Sequence, residues 1–459
     1  MKKIKYIAIF SLLAMCSVKG LAQTAKSAYF LDGTFSNFML NPAMRSERGF
    51  LSLGVGNMTI GTNGNVGISH FLFPQGDHLT TFMSGTVSES EFLGRLPQSI
   101  RFGMNVDETI FGLGFRMFGG YTSFGVTLHS STSMALPKGF FEFAKKGLQE
   151  RYNFSGININ TKNYAAATLG YSHEIYEGLS FGVNLKFLTG LAYADATFDK
   201  FNIEMSADQW MIEAHAKAQA AVGIEIGFTD EEKTLDNIEL KNFAPAATGF
   251  AVDFGLVYDM DNYVPGLTFS ASILDLGKIN WKQMMSIEND ENSCIRWEGL
   301  TEGNINDLEG ALNKEFSKLE EAATQMMEFN TSDFREEITK LNATMYLGAE
   351  YNIPFYRELS FAVLYGKQFS PYSYSGWTET RGYVNWAPIK WLELSANAGS
   401  TTFGTSYGWM LNFHPRLISF FIGSDYMVTR VTSQYLPLPV NDMNYHFTFG
   451  LVKPIGRRK

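Results

Sequence analysis

The 459-residue chain predicts an all-β fold. The expected form is a transmembrane antiparallel β-barrel of about fourteen strands, with an N-terminal plug segment and long helical outer loops. The first observation behind this is a repeated alternation. In LSFGVNLKF, residues 179–187, Leu179, Phe181, Val183, Leu185 and Phe187 alternate with Ser180, Gly182, Asn184 and Lys186. Successive side chains of a strand point to opposite faces, so one face is apolar and the other small or polar. The pattern returns in GLTFSASILD from Gly266, ELSFAVLYGK from Glu358, WLELSANAGS from Trp391 and LISFFIGSDY from Leu417. A soluble sandwich would alternate too, so the second observation decides: short turns lie on one side and long excursions on the other. The third is compositional. Aromatics reach 15%, with 39 Phe and 21 Tyr, yet beyond the leader no apolar run has the length of a membrane helix.

The chain opens with an address. Lys2, Lys3 and Lys5 precede an apolar run over 7–15 and a small-residue cleavage site at Gly20-Leu21-Ala22, which reads as a secretory signal peptide over 1–22. Lipidation at Cys16 is the competing reading, and Met15 weighs against it because that cleavage takes a small residue there. The expected destination is the cell outer membrane, reached through the periplasm. The chain has 37 Lys and Arg against 46 Asp and Glu, and the leader takes Lys2, Lys3, Lys5 and Lys19 with it. So acidic a chain does not suit nucleic acid. Outer-membrane lipid is its expected surrounding. Cys294 is the one cysteine left after the leader, so no internal disulfide forms.

Residues 23–48 lack a clean period and are expected to plug the lumen, with Asn41-Pro42 as a stop signal. The barrel is expected over 49–459. A first strand covers 50–60. Phe111, Leu113 and Phe115 alternate with Gly112, Gly114 and Arg116, Gly119-Gly120 turns, and Phe124, Val126 and Leu128 alternate with Gly125, Thr127 and His129, which is a hairpin. Further strands are expected at 163–173, 248–259, 267–276, 344–352, 359–369, 377–387, 391–401, 407–414, 418–427 and 445–452. The outer loops are expected at 61–107, 134–161, 198–246 and 277–342. Helical pieces belong near 88–96 and 136–152. The last loop carries Ile305, Leu308, Leu312, Phe316, Leu319 and Met326 at helical spacing.

Alternation points Arg116, His129, Lys186, Asp253, Glu350, Glu393, Asn412, Asp425 and His446 into the lumen. They are candidates for ligand contacts, or else mutually paired charges that hold the wall together. H-E-x-x-H, P-loop and G-x-G-x-x-G strings are absent, and the seven histidines show no ligand spacing. No enzyme activity, metal or cofactor is expected.

Asn41-Pro42-Ala43 resembles the N-terminal motif of the long-chain fatty-acid transporter superfamily of outer-membrane barrels. TGFAVDFGLVYDM from Thr248, SASILDLGKINW from Ser270 and the leader ending GLAQ are similar to a Bacteroidota branch of unknown function. The resemblance implies a fourteen-stranded barrel (about fourteen, as above) whose N-terminal hatch ends at Ala43, and it assigns no ligand-binding residue. The branch is also similar to the barrel that shuttles cargo in type IX secretion. The expected function is therefore a porin-like channel or transporter for hydrophobic or amphiphilic small molecules. The alternative is a non-transporting scaffold or secretion-system accessory that binds a protein partner through its outer loops.

Overall fold

The computed structural model describes residues 25–456, apart from 32–33, 47, 55, 77, 148–150, 207–208, 229–237, 244, 292, 298–329, 332–334 and 428–443. The expected signal peptide and the helix at 305–326 lie outside the described residues.

Strand makes up 68% of the structure, and the wall closes as a 14-strand antiparallel barrel. In chain order the wall strands are β1 (Gly49–Leu53 and Met58–Gly64), β2 (Ser99–Met117), β3 (Gly120–Pro137), β4 (Ile157–Tyr176) and β5 (Leu179–Met205). Next come β6 (Trp210–Val222 and Ala247–Asp259), β7 (Leu267–Glu288), β8 (Thr344–Ile353), β9 (Tyr356–Gln368) and β10 (Trp377–Ile389). The last four are β11 (Leu392–Thr401), β12 (Gly404–Phe413), β13 (Ser419–Ser424) and β14 (Tyr445–Ile455). Each pairs with the next, and β14 returns to β1 through Gly49↔Ile455 and Met58↔Phe449. A closed ladder leaves no edge, which is what a strand wall in lipid requires.

The alternation sets which side faces out. In β5, Ser180, Gly182 and Asn184 are buried while Leu185 and Phe187 are exposed. Outward Phe187, Phe361 and Val363 are 60%, 48% and 54% exposed. An apolar belt of that kind suits hydrocarbon and not water. Tyr176, Tyr263 and Trp391 stand exposed near the short-turn end, where amphipathic rings meet headgroups.

Two-residue turns close several of the hairpins. The β2–β3 turn is Phe118-Gly119, both at positive φ (53° and 77°), the geometry that matches strand twist. The sequence placed it one residue later; Gly120 instead already belongs to the wall, where a Cβ would run into Ser172 O and the Tyr171 ring. In the longer β6–β7 turn, the Asp261 carboxylate accepts from the Gly266 amide at 2.6 Å and from Arg357 at 3.0 Å. The Gly266 hydrogen bond, and after it Arg357, hold the Asp261 carboxyl below its usual range.

The wall rises further into the expected loops than alternation indicated. Strand covers 61–64 and 99–107 of the first, 134–137 and 157–161 of the second, and 277–288 of the fourth. Above the apolar belt neither face meets lipid, so the period-2 signal fades while the backbone ladder continues. Helices α1 (Glu89–Arg95, capped by Ser88) and α2 (Lys138–Lys146) stand where helical pieces were expected. The third loop holds the upper part of β6. Gly223 and Ala246 donate to the consecutive carbonyls of Leu191 and Gly190, so β6 is one strand interrupted by a hairpin, Ile224–Phe228 with Ile238–Phe243.

The N-terminal segment lies against inward-facing side chains. Ala25, Ala28 and Leu31 pack on Met410 and Phe421, Tyr29, Phe30 and Leu40 on Tyr346, Trp377 and Tyr383, and Phe35 on Phe50, Tyr121 and Val452.

Candidate functional site

Three strand pairs slip register at mid-height: β2–β3 at Thr109/Phe111, β4–β5 at Asn163/Tyr164 and β6–β7 at Val252/Phe254. A bulge adds one residue to one strand and re-aims the side chains beyond it. In β7, Leu274 and Asp275 together oppose Asp253. Asp275 takes the extra position in the left-handed region, at φ 59°, which costs a non-glycine residue about 1 kcal/mol or more. Below it Ser270, Ser272 and Leu274 are buried; above it Ile279 and Trp281 are. The facing parity has switched.

Local bonds hold the bulge. The Asp275 amide donates to Asp253 Oδ1 at 2.7 Å. Lys186 Nζ donates to Asp275 Oδ1 at 2.6 Å and lies 2.9 Å from Asp253 Oδ2. Asn184 Nδ2 donates to Asp253 Oδ2 at 3.0 Å. Nearby, His129 Nδ1 and Asp107 Oδ1 are 2.7 Å apart, and the His129 ring stacks on Tyr164 at 4.8 Å. These groups line a lumen cavity of about 160 Å³. Its other side is apolar, made by Phe35, Phe38, Met39 and Leu40 of the N-terminal segment with Phe50 and Val452.

The residues chosen from alternation fall in three places. His129, Lys186 and Asp253 line the cavity. Asp425 and His446 lie where the N-terminal segment begins. Asp425 accepts from the Lys26 amide at 2.9 Å, the Ser27 amide at 2.8 Å and Ser27 Oγ at 2.6 Å. The Asp425 amide donates to His446 Nδ1 at 3.0 Å. The remaining four lie away from both: Glu350 accepts from Ser360 Oγ at 2.6 Å, and Glu393 from Asn412 Nδ2 at 2.9 Å. Arg116 is exposed beside the β2–β3 turn.

Around Asp425 the contacts form a clamp. Glu379 bridges Lys26 and Arg381, all three buried. Arg381 also donates to Ser406 Oγ at 2.9 Å and to the Asp425 carbonyl at 3.0 Å. Tyr383 Oη donates to the Lys26 carbonyl at 3.1 Å, and the Lys26 ammonium stands 4.0 Å from the Trp377 ring centre. Glu379 thus satisfies two cations out of water, while two backbone amides and the Ser27 hydroxyl satisfy the Asp425 carboxylate.

Asn41-Pro42-Ala43 sits on a matching seat. Asn41 Nδ2 donates to the carbonyls of Leu256 (3.1 Å) and Ala271 (3.3 Å), and Asn41 Oδ1 accepts from the Ala43 amide at 3.0 Å. Gly182 and Gly255 oppose one another in the β5–β6 ladder. A Cβ on Gly182 would fall on Pro42, and one on Gly255 on Asn41 Oδ1. The glycine pair lets the motif reach the wall backbone.

Sequence reasoning missed Asp275, because the count of alternate residues turns it outward and only the bulge brings it in. It missed Glu379 and Arg381 as a set with Lys26, which lies more than 350 positions away in the chain. Gly404 to Gly408 spells G-x-S-x-G. Ser406 sits within β12, 2% exposed and bonded to Arg381, not on the strand-to-helix elbow such a nucleophile needs.

Residues 42–425 match the profile of a family described as "Family of unknown function (DUF5723)". No curated protein matches the chain in sequence. Among solved structures the chain is similar to a deltaS2S3 mutant of the monoaromatic hydrocarbon channel TodX (10% identity, 96% of each chain covered, TM-score 0.44). It is also similar to the P. putida toluene transporter TodX (7% identity, 95% of this chain and 96% of that one, TM-score 0.40). A third is a Pseudomonas aeruginosa FadL homologue (10% identity, 95% of this chain and 100% of that one, TM-score 0.43).

Proposed function

We propose that this chain, which belongs to the DUF5723 family, is an outer-membrane channel for hydrophobic or amphiphilic small molecules, plugged by its N-terminal segment. The observation that carries this reading is the two-sided cavity: aromatic and aliphatic side chains of the segment face a wall bearing His129, Lys186 and Asp253. A lumen filled only to brace the wall would leave no such space between its plug and its charges. The segment itself is held at two separate points, the clamp around Lys26 and the seat of Asn41. In this reading, release at one point lets it shift while the other keeps it in the barrel.

The test is flux in proteoliposomes. Deleting residues 23–39 is expected to admit small hydrophilic solutes in a swelling assay and to change uptake of a hydrophobic probe. Unchanged uptake by a deleted barrel that still runs as folded on electrophoresis would overturn the plug. A stoichiometric protein partner that copurifies, and is lost on shortening 277–342, would favour the scaffold reading instead.

A further inference from the structure

The cavity's polar side is dominated by neutral groups. Asn105 of β2, Ser131 of β3 and Thr168 of β4 line it without a side-chain hydrogen bond among the described residues. Thr127 meets only Thr109, at 3.4 Å. Asn342 lines the same space and its Oδ1 is buried without a partner. Two of the charged groups, by contrast, are already paired, Lys186 with Asp253 and Asp275 and His129 with Asp107, and the buried Lys162 Nζ is turned to the Lys340 carbonyl at 2.6 Å.

What the wall still offers is therefore chiefly hydroxyl and amide hydrogen bonding. A bare hydrocarbon entering here would displace water from these groups and return nothing. A carboxylate would meet three aspartates whose cations are already engaged. The size also constrains the occupant, since a cavity of this order holds about one six-membered ring.

Resting on the channel reading above, we propose that the cavity selects a single-ring amphiphile carrying two or more hydroxyl groups. Its apolar face lies on Phe35, Phe38 and Met39, and its hydroxyls on Asn105, Thr127, Ser131 and Thr168. Hydrocarbons and carboxylates of the same size are disfavoured.

Three probes separate these chemistries: toluene, 1-phenyl-1,2-ethanediol and benzoate. Each is measured by equilibrium dialysis against the full-length protein in lipid nanodiscs, with empty nanodiscs subtracted. The diol is expected to bind about tenfold or more tighter than either of the others. In the double variant Thr127→Val, Thr168→Val the diol's advantage is expected to collapse while toluene binding holds or improves. Val keeps the shape of Thr, and retained toluene binding shows that the cavity survives. Toluene or benzoate binding as tightly as the diol would overturn the selectivity and leave the channel reading standing. Binding of none of the three would overturn both. A diol preference that survives the double variant would place the diol elsewhere and overturn the inference.

Discussion

The two halves of the barrel differ in construction. From β2 to β7 the strands run long: β2 is 19 residues, β4 is 20, β5 is 27 and β7 is 22. All three mid-strand register shifts at cavity height fall here. From β8 to β14 the strands are 6 to 13 residues, and their shifts, at Asn352/Ile353 and Trp386/Ile389, lie beside turns. The bulged half supplies most of the cavity wall. The regular half keeps strict parity, so Glu379, Arg381 and Tyr383 stack inward in β10 as a straight row that grips the N-terminal segment. The clamp thus lies in the regular half, while the bulged half carries the seat of Asn41 and most of the cavity wall.

Breaking the grip is expected to have the largest effect. Glu379→Ala strands the buried ammonium of Lys26 and guanidinium of Arg381, and removing one partner of a buried pair costs about 3–5 kcal/mol. Denaturant unfolding in detergent should show that loss, and trypsin should cut within 25–46 where it does not in the parent. A resistant segment would mean that the grip lies elsewhere.

The bulge comes next. Asp253→Ala removes a carboxylate from Lys186 and leaves the Asp275 amide unpaired, a loss of about 3 kcal/mol. Its signature is distinct from that of the clamp: weaker probe binding in the cavity with a segment still resistant to trypsin. Equal loosening of both regions would show that the two halves are not independent.

Gly255→Ala tests the seat, where the methyl group meets Asn41 Oδ1. Overpacking of that kind costs about 1–2 kcal/mol, read as a modest rise in leak to small solutes with the clamp residues still protected. Arg357→Ala is the smallest change. Its exposed pair with Asp261 is solvent-screened, and the Gly266 amide remains to hold that carboxylate, so the melting temperature should not move. A clear drop would show that the turn end contributes more than the clamp comparison allows.

Much of the wall was readable in advance. The expected strand at 344–352 is Thr344–Ile353, that at 391–401 is Leu392–Thr401, and that at 445–452 is Tyr445–Ile455. The site was readable in pieces: inward His129, Lys186 and Asp253 were named, while Asp107, Tyr164 and Asp275 were not. Below a bulge the parity count is safe, and across one it inverts. That is why Asp275 was lost and Asp253, at the same height on the neighbouring strand, was found.

What the sequence by itself determined is the set of local choices: which residues alternate, where Gly and Pro turn the chain, and which side of each strand can face hydrocarbon. These are decided between near neighbours, at distances that a two-residue period spans. Only the tertiary structure decided the register slips, the meeting of Lys26 with Glu379 and Asp425, and the seating of Asn41 on a glycine pair contributed by two strands. A bulge exists only between two strands, and a buried ion pair only between groups that folding has taken out of water together. Neither has a signature in one stretch of chain.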